Sequence, residues 1–164
     1  MTRHRVWRLP GDVDTDALAP GTWMQHGVDV IAQHCLEALR PDFAGGVQPG
    51  DVVVAGPNFG IGSSREQAAA VLRHLGVAAV IAPSYAGLFF RNAFNLGLLL
   101  LTCEQCERIA EGERIAFDAR AGTVTRPGGE TLQAQTIPAF LLDMVDAGGL
   151  LPQLQQRFQT RTAP

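Results

Sequence analysis

Residues 56–65 read GPNFGIGSSR and run into Glu66, Gln67 and three alanines. Three glycines and a proline lie just before two adjacent hydroxyls and a guanidinium. Glycine tolerates positive φ and lets ligand atoms come close to the backbone. Residues 63–74 have the composition of a helix, closed by Gly76, and a helix N-terminus offers free N–H donors and partial positive charge to an anion. Ser63, Ser64 and the planar fork of Arg65 together suit a carboxylate held by two bonds. A plainer reading competes: Ser63-x-x-Glu66 is a capping box. Capping accounts for neither Arg65 nor the glycines. A phosphate loop of the G-x-x-x-x-G-K-[ST] type is excluded, because all thirteen basic residues are arginine.

Several elements must hold that segment in place. Residues 51–55 (DVVVA) read as a buried strand before it, and residues 77–82 as a second strand after its helix. Residues 85–95 are helical in pattern, and residues 98–101 form a third apolar strand. This strand–helix alternation predicts parallel pairing with right-handed crossovers. Upstream, residues 5–9 alternate like a short strand, and residues 28–39 carry apolar side chains at helical spacing, with Pro41 just beyond. Residues 45–50 read as a loop. Downstream, residues 114–119, 123–126 and 131–136 are strand candidates separated by glycine turns, and Pro138 can open a helix through Asp146. The expected fold is α/β, with a mixed, mostly parallel sheet and flanking helices. It is one domain over residues 1–164, with a core of about 5–151 and a polar tail at 152–164.

Composition narrows the chemistry. With 46% hydrophobic and 18% charged residues the chain is of the soluble globular class. No apolar run approaches the roughly 18–20 residues that span a bilayer, and the first residues lack the apolar centre of a signal peptide, so a cytoplasmic location is expected. Zero lysine removes Schiff-base chemistry, and scattered arginines give no nucleic-acid stripe. The three cysteines include one C-x-x-C, Cys103 and Cys106, with no second ligand pair beside it. That composition favours structural thiols over a metal or cluster held by this chain alone. His4, His34 and His74 read as surface or partly packed residues, and Arg91-Asn92 as helix surface or interface.

The segment GPNFGIGSSREQAAA resembles the signature of the aconitase and isopropylmalate dehydratase small subunits, usually close to G-x-N-F-G-x-G-S-S-R-E-H-A. GDVDTDALAPG, residues 11–21, resembles that family's N-terminal loop, and residues 76–101 resemble its following strand, helix and strand. The likeness is close over residues 9–103 and weaker to about 151. It implies a swivelling β/β/α domain that completes the active site of a separate large subunit, which carries a [4Fe-4S] cluster. It implies a hydro-lyase acting on a hydroxy-diacid, nearest to isopropylmalate dehydratase and leucine biosynthesis. Homoaconitase, dimethylmalate and citraconate hydro-lyases are neighbouring alternatives, and a stand-alone carboxylate-binding module is an alternative of another class.

By the same resemblance Ser63 is the catalytic base, Ser64 and Arg65 bind substrate, and Asp16 is a second catalytic residue with a catalytic or proton-relay role, for which loop capping is the plain alternative. Residues 21–26 occupy the family's side-group loop, where Trp23 and Met24 could pack an alkyl group or simply pack into the domain or the subunit interface. That loop holds no arginine, which argues against a third substrate carboxylate. The chain departs from the family at Ile61, often Cys, and Gln67, often His. Gln67 cannot titrate near neutral pH. The expected partner is the large subunit, in a heterodimer or heterotetramer. Left alone, the chain would expose the face that meets this partner, a route to homodimers.

Overall fold

A computed structural model of the chain describes residues 1–162. Seven strands make one sheet: β1 (His4–Arg8), β2 (Val52–Val54), β3 (Ala79–Ala82), β4 (Leu100–Thr102), β5 (Arg114–Asp118), β6 (Thr123–Thr125) and β7 (Thr131–Gln133), in the spatial order β4-β3-β2-β1-β5-β6-β7. Seven helices accompany it: α1 (Thr15–Leu18), α2 (Val28–Gln33), α3 (Phe43–Gly46), α4 (Gln67–His74), α5 (Gly87–Asn95), α6 (Ala139–Asp146) and α7 (Leu150–Thr162). The fold is thus the mixed α/β arrangement expected from the sequence. None of the helices among the described residues is long and apolar enough to cross a membrane.

The sheet has two halves with different chemistry. β1 to β4 pair in parallel, in the registers Val53↔Val80 and Ile81↔Leu101. β2 and β3 are buried at every residue, as parallel strands covered on both faces must be. β1 also pairs antiparallel with β5, and β5, β6 and β7 continue antiparallel. There the burial alternates: Val124 and Leu132 are buried while Thr131 and Gln133 are exposed, the pattern of a sheet with one wet face. The chain leaving β7 returns to the opposite edge, where the Gln135 N–H donates to the Thr102 carbonyl (2.8 Å).

Three elements differ from expectation. The helix predicted over 28–39 ends at Gln33, because Leu36 adopts φ 62° and its N–H turns to the Ala17 carbonyl (2.8 Å). Residues 45–50 were expected as loop, yet Gly45 and Gly46 close the one-turn helix α3, whose Phe43 is buried edge-on to Trp7. The helix predicted from Ser63 starts only at Gln67. The polar tail, within the described residues, is helical: α7 continues to Thr162.

Polar groups in the core are few. Asp51 sits at the amino end of β2 with its Oδ2 accepting from Arg5 (2.6 Å), the Trp7 indole (2.9 Å) and the Gln48 N–H (2.9 Å). Burial pulls its carboxyl pKa upward, and these bonds outweigh burial and hold it below the usual value. At the other edge of the parallel half, the loops that follow β1, β2 and β3 converge. Ligands of open α/β sheets bind at this carboxyl edge.

Candidate active site

Three loops are zipped together by backbone bonds. The first, after β1, meets the glycine loop after β2: Asp12 N–H donates to the Pro57 carbonyl (2.8 Å), Gly60 N–H to Val13 (2.7 Å), and Thr15 N–H to Ile61 (2.8 Å). Asn58 adds a side-chain bond to Asp12 Oδ1 (2.9 Å). The third loop, after β3, joins through Phe59 N–H to the Ser84 carbonyl (3.1 Å), Asn58 N–H to Ser84 Oγ (2.9 Å), and Ala86 N–H to Phe59 (3.0 Å). Phe59 is fully buried against the rings of Tyr85 and Phe89. The three sequence blocks that looked functional are therefore one structural unit.

Gly60 shows why the loop is glycine-rich. Its φ is 85°, and a Cβ there would lie 2.3 Å from the Phe89 ring. Gly60→Ala is expected to destabilise the chain by about 2 kcal/mol or more, from positive φ plus the clash, and so to lower Tm by roughly 4–8 °C. A calorimetric scan of the variant checks this, and an unchanged Tm would mean the loop is not pinned here.

Ser63 and Ser64 emerge from this loop exposed. The capping box does not form. Helix α4 has Glu66 at its N-cap with no side-chain cap bond, and the Ser63 carbonyl accepts from Arg65 N–H (2.8 Å). The helix end therefore acts on Glu66 and Gln67 and lies too far along to be the main support for Ser63. A different set of donors is closer. Among the described residues, the backbone N–H groups of Gly62, Ser63 and Ser64 meet no acceptor. Three successive N–H groups without an acceptor in the chain are donors open to an anion.

Arg65 is anchored on one side only. Its Nη1 donates to the Ala19 carbonyl (2.8 Å) and to Asp16 Oδ1 (3.0 Å). Its Nε and Nη2 make no bond among the described residues. Asp16 Oδ1 also accepts from the Gly21 N–H (2.9 Å). That backbone bond first, and Arg65 second, hold the Asp16 carboxyl below its usual pKa. Asp16 thus meets Arg65 and the start of the 21–26 loop at once. The capping role near it belongs to Asp14, whose Oδ1 accepts from Ala17 N–H (2.7 Å).

Trp23 and Met24 lie at the end of a 3-10 turn, Gly21–Trp23, and both pack partly against the core. The Trp23 ring stacks on His34, with centroids 3.7 Å apart at 7°, and its Nε1 reaches Glu37 (3.4 Å). His34 in turn bonds Glu37 (2.6 Å). One face of Trp23 is thereby taken by its own chain, a contact that sequence reading missed. The His34–Glu37 spacing was its only available signal. Gln67 opens α4, half-buried. Arg91 lines a groove of about 480 Å³ with Ser84, Tyr85, Phe90 and Thr102, next to the zipped loops.

The thiols sit elsewhere. Cys35, Cys103 and Cys106 are buried and unpaired. Burial pushes the Cys106 thiol up to about 12 and raises Cys103 and Cys35 as well. Cys106 Sγ donates to the Ala55 carbonyl (3.5 Å). Among the described residues, no three His, Cys, Asp or Glu side chains are grouped to hold a metal ion.

Residues 45–106 match the aconitase C-terminal domain. The 3-isopropylmalate dehydratase small subunit of Methanosarcina mazei is 44% identical, covering 91% of this chain and 93% of its own. The isopropylmalate/citramalate isomerase small subunit of Methanocaldococcus jannaschii is 39% identical, covering 96% and 95%. The crystal structure of a 3-isopropylmalate dehydratase from the same organism superposes with a TM-score of 0.90, at 34% identity and 98% coverage of both chains. With its zipped loops, its Ser63-Ser64-Arg65 segment and these near full-length likenesses, the chain belongs to the family of 3-isopropylmalate dehydratase small subunits.

Proposed function

We propose that this chain is the small subunit of a hydro-lyase that interconverts 2-isopropylmalate and 3-isopropylmalate, as in leucine biosynthesis, and that it works only with a large subunit. The observation that carries the reading is the half-free guanidinium of Arg65 beside Ser63, Ser64 and three unbonded backbone N–H groups. A cytoplasmic location goes with it.

The thiols of this chain do not fit a [4Fe-4S] cluster: they are buried, and their pKa values are raised by that burial. The cluster belongs to the large subunit in this reading, where it would supply a Lewis acid for the departing hydroxyl. The work of this chain is different. Arg65 Nε and Nη2 hold a substrate carboxylate as a fork. The Ser64 hydroxyl donates a hydrogen bond to the bound acid. Ser63 takes the proton from the carbon next to a carboxylate, and returns it in the reverse direction. A serine alkoxide is a strong base that is scarce in water. The free N–H groups of Gly62 and Ser64 and the charge of Arg65 favour that anion. Asp16, ionised and bonded to Arg65, orients the fork.

The substrate reading rests on the 21–26 loop, which offers Trp23 and Met24 and no arginine for a third carboxylate. The exposed parts of Trp23 and Met24, both only partly buried, suit an alkyl group. A smaller side group is the second reading, favoured by the relative named for both isopropylmalate and citramalate.

An anaerobic assay tests both. The chain is mixed with its cluster-reconstituted large subunit, and the ultraviolet absorbance of the unsaturated diacid is followed from 3-isopropylmalate, citraconate, dimethylmalate and homocitrate. Activity that needs both chains, with 3-isopropylmalate preferred, is expected. A formed complex with an intact cluster that turns over none of these acids would leave only a carboxylate-binding module.

A further inference from the structure

Thr15 presents an unexplained atom. It is 2% exposed, and its Oγ1 is the buried side-chain oxygen or nitrogen without a hydrogen-bond partner among the described residues. Asp51, the other buried polar residue among those described, is bonded through Oδ2 to Arg5, Trp7 and Gln48. A buried hydroxyl with no partner destabilises the fold, and a valine of the same shape would not. The backbone of Thr15 is fully used, with its N–H on Ile61 and its carbonyl taking Ala19 N–H (2.9 Å), so the side chain has no freedom to seek a partner by moving with the chain.

What lies opposite that hydroxyl is Gly62. An atom at the Cβ position of Gly62 would be 3.3 Å from Thr15 Oγ1. Gly62 has φ 101° and no side chain, so the peptide group that follows it can rotate at little cost. That peptide group joins Gly62 to Ser63, and both its polar ends, the Gly62 carbonyl and the Ser63 N–H, are unbonded among the described residues. The unpartnered buried hydroxyl of Thr15 thus lies beside Gly62, the exposed residue whose carbonyl and following N–H have no partner within the described residues and which carries the proposed base.

We propose that Thr15 is a positioning residue for Ser63: in the assembled enzyme its Oγ1 accepts from the Ser63 N–H of the Gly62–Ser63 peptide group and fixes the direction of the serine side chain. This rests on the function proposed above. The hydroxyl costs stability in the lone chain and recovers its bond when the large subunit and substrate close on the loop. Thr15 touches neither substrate nor reacting atoms and acts through Ser63 alone.

The test uses Thr15→Val and Thr15→Ser in the two-subunit enzyme with 3-isopropylmalate, together with Tm of each free small subunit and amide hydrogen exchange at Ser63. Thr15→Val is expected to lower kcat about 10- to 100-fold, as misplacement of a reacting group does, with KM within about twofold. Thr15→Ser keeps the hydroxyl and is expected to retain most of the wild-type kcat. The free Thr15→Val chain is expected to melt no lower than wild type. On complex formation the Ser63 amide should become protected in wild type and Thr15→Ser, but not in Thr15→Val. Wild-type kcat in Thr15→Val, an equal loss in both variants, or a lowered Tm of the free valine variant would each overturn the proposal. If the wild-type complex turns over no hydroxy-diacid, the functional reading falls separately. The exchange rates then decide on Thr15 by themselves.

Discussion

Ser63→Ala in the assembled enzyme is expected to lower kcat by about a thousandfold, within the range of 10²–10⁴ for loss of a general base, while KM stays close to wild type. The alanine keeps the backbone N–H groups of Gly62, Ser63 and Ser64 and leaves Arg65 bonded to Asp16 and Ala19, so the groups that hold the acid survive. Only the atom that takes the proton is lost. The same variant separates this role from capping. A capping serine replaced by alanine costs about 0.5–2 kcal/mol of stability. Ser63 is exposed and caps nothing, because α4 begins at Gln67, so Tm should not move. Steady-state kinetics and a melting curve on one preparation check both statements. Near wild-type turnover would remove Ser63 as the base, and a clear fall in Tm would restore the capping role.

The late start of α4 also shows where sequence reading stops. Ser63-x-x-Glu66 satisfied the local rule for a helix start, yet Gly62 at φ 101° and the bond from Arg65 N–H back to the Ser63 carbonyl turn the chain before the helix begins. A local rule cannot see that Thr15 N–H holds the preceding Ile61 carbonyl from another loop. The same applies to residues 28–39, where apolar spacing predicts a helix and a bond from Leu36 N–H to Ala17, nineteen positions earlier in the chain, ends it early. By contrast β2, β3 and β4 were legible, because strands buried on both faces need uninterrupted apolar runs such as residues 52–54 and 79–82. The antiparallel half was legible only as strands. Nothing local in residues 114–118 names β1 as their partner, since that pairing spans about a hundred residues. For the site, residue types pointed to an anion, and the resemblance supplied the chemistry. The zipping of three loops, the stack of Trp23 on His34 and the unpartnered Thr15 hydroxyl needed coordinates.

Arg65 and Asp16 give the second large effect, and they divide differently from Ser63. Arg65→Ala is expected to reduce kcat/KM at least about 100-fold, since charge-assisted hydrogen bonds contribute about 1.5–3 kcal/mol each and the free Nε and Nη2 can make two. Arg65→Lys should recover only a small part of this, because an ammonium is a point charge that cannot span two carboxylate oxygens. Asp16→Asn tests the role of the carboxylate. Its pKa is lowered by the Gly21 N–H and by Arg65, so in the folded chain it is ionised above the usual aspartate range and cannot give a proton near neutral pH. Its effect should therefore pass through Arg65: KM rises, kcat falls less, and the pH profile of kcat between pH 6 and 9, about the span in which an ordinary base would titrate, keeps its shape. Gly21 opens the loop that carries Trp23 and Met24, so a slackened Asp16–Gly21 bond should also blunt the preference for isopropyl over methyl side groups. A kcat loss matching that of Ser63→Ala at unchanged KM would instead make Asp16 part of the proton path. The kinetics of both variants on 3-isopropylmalate and citraconate distinguish the two, because a positioning residue changes which acid is held and a proton carrier changes how fast any held acid reacts.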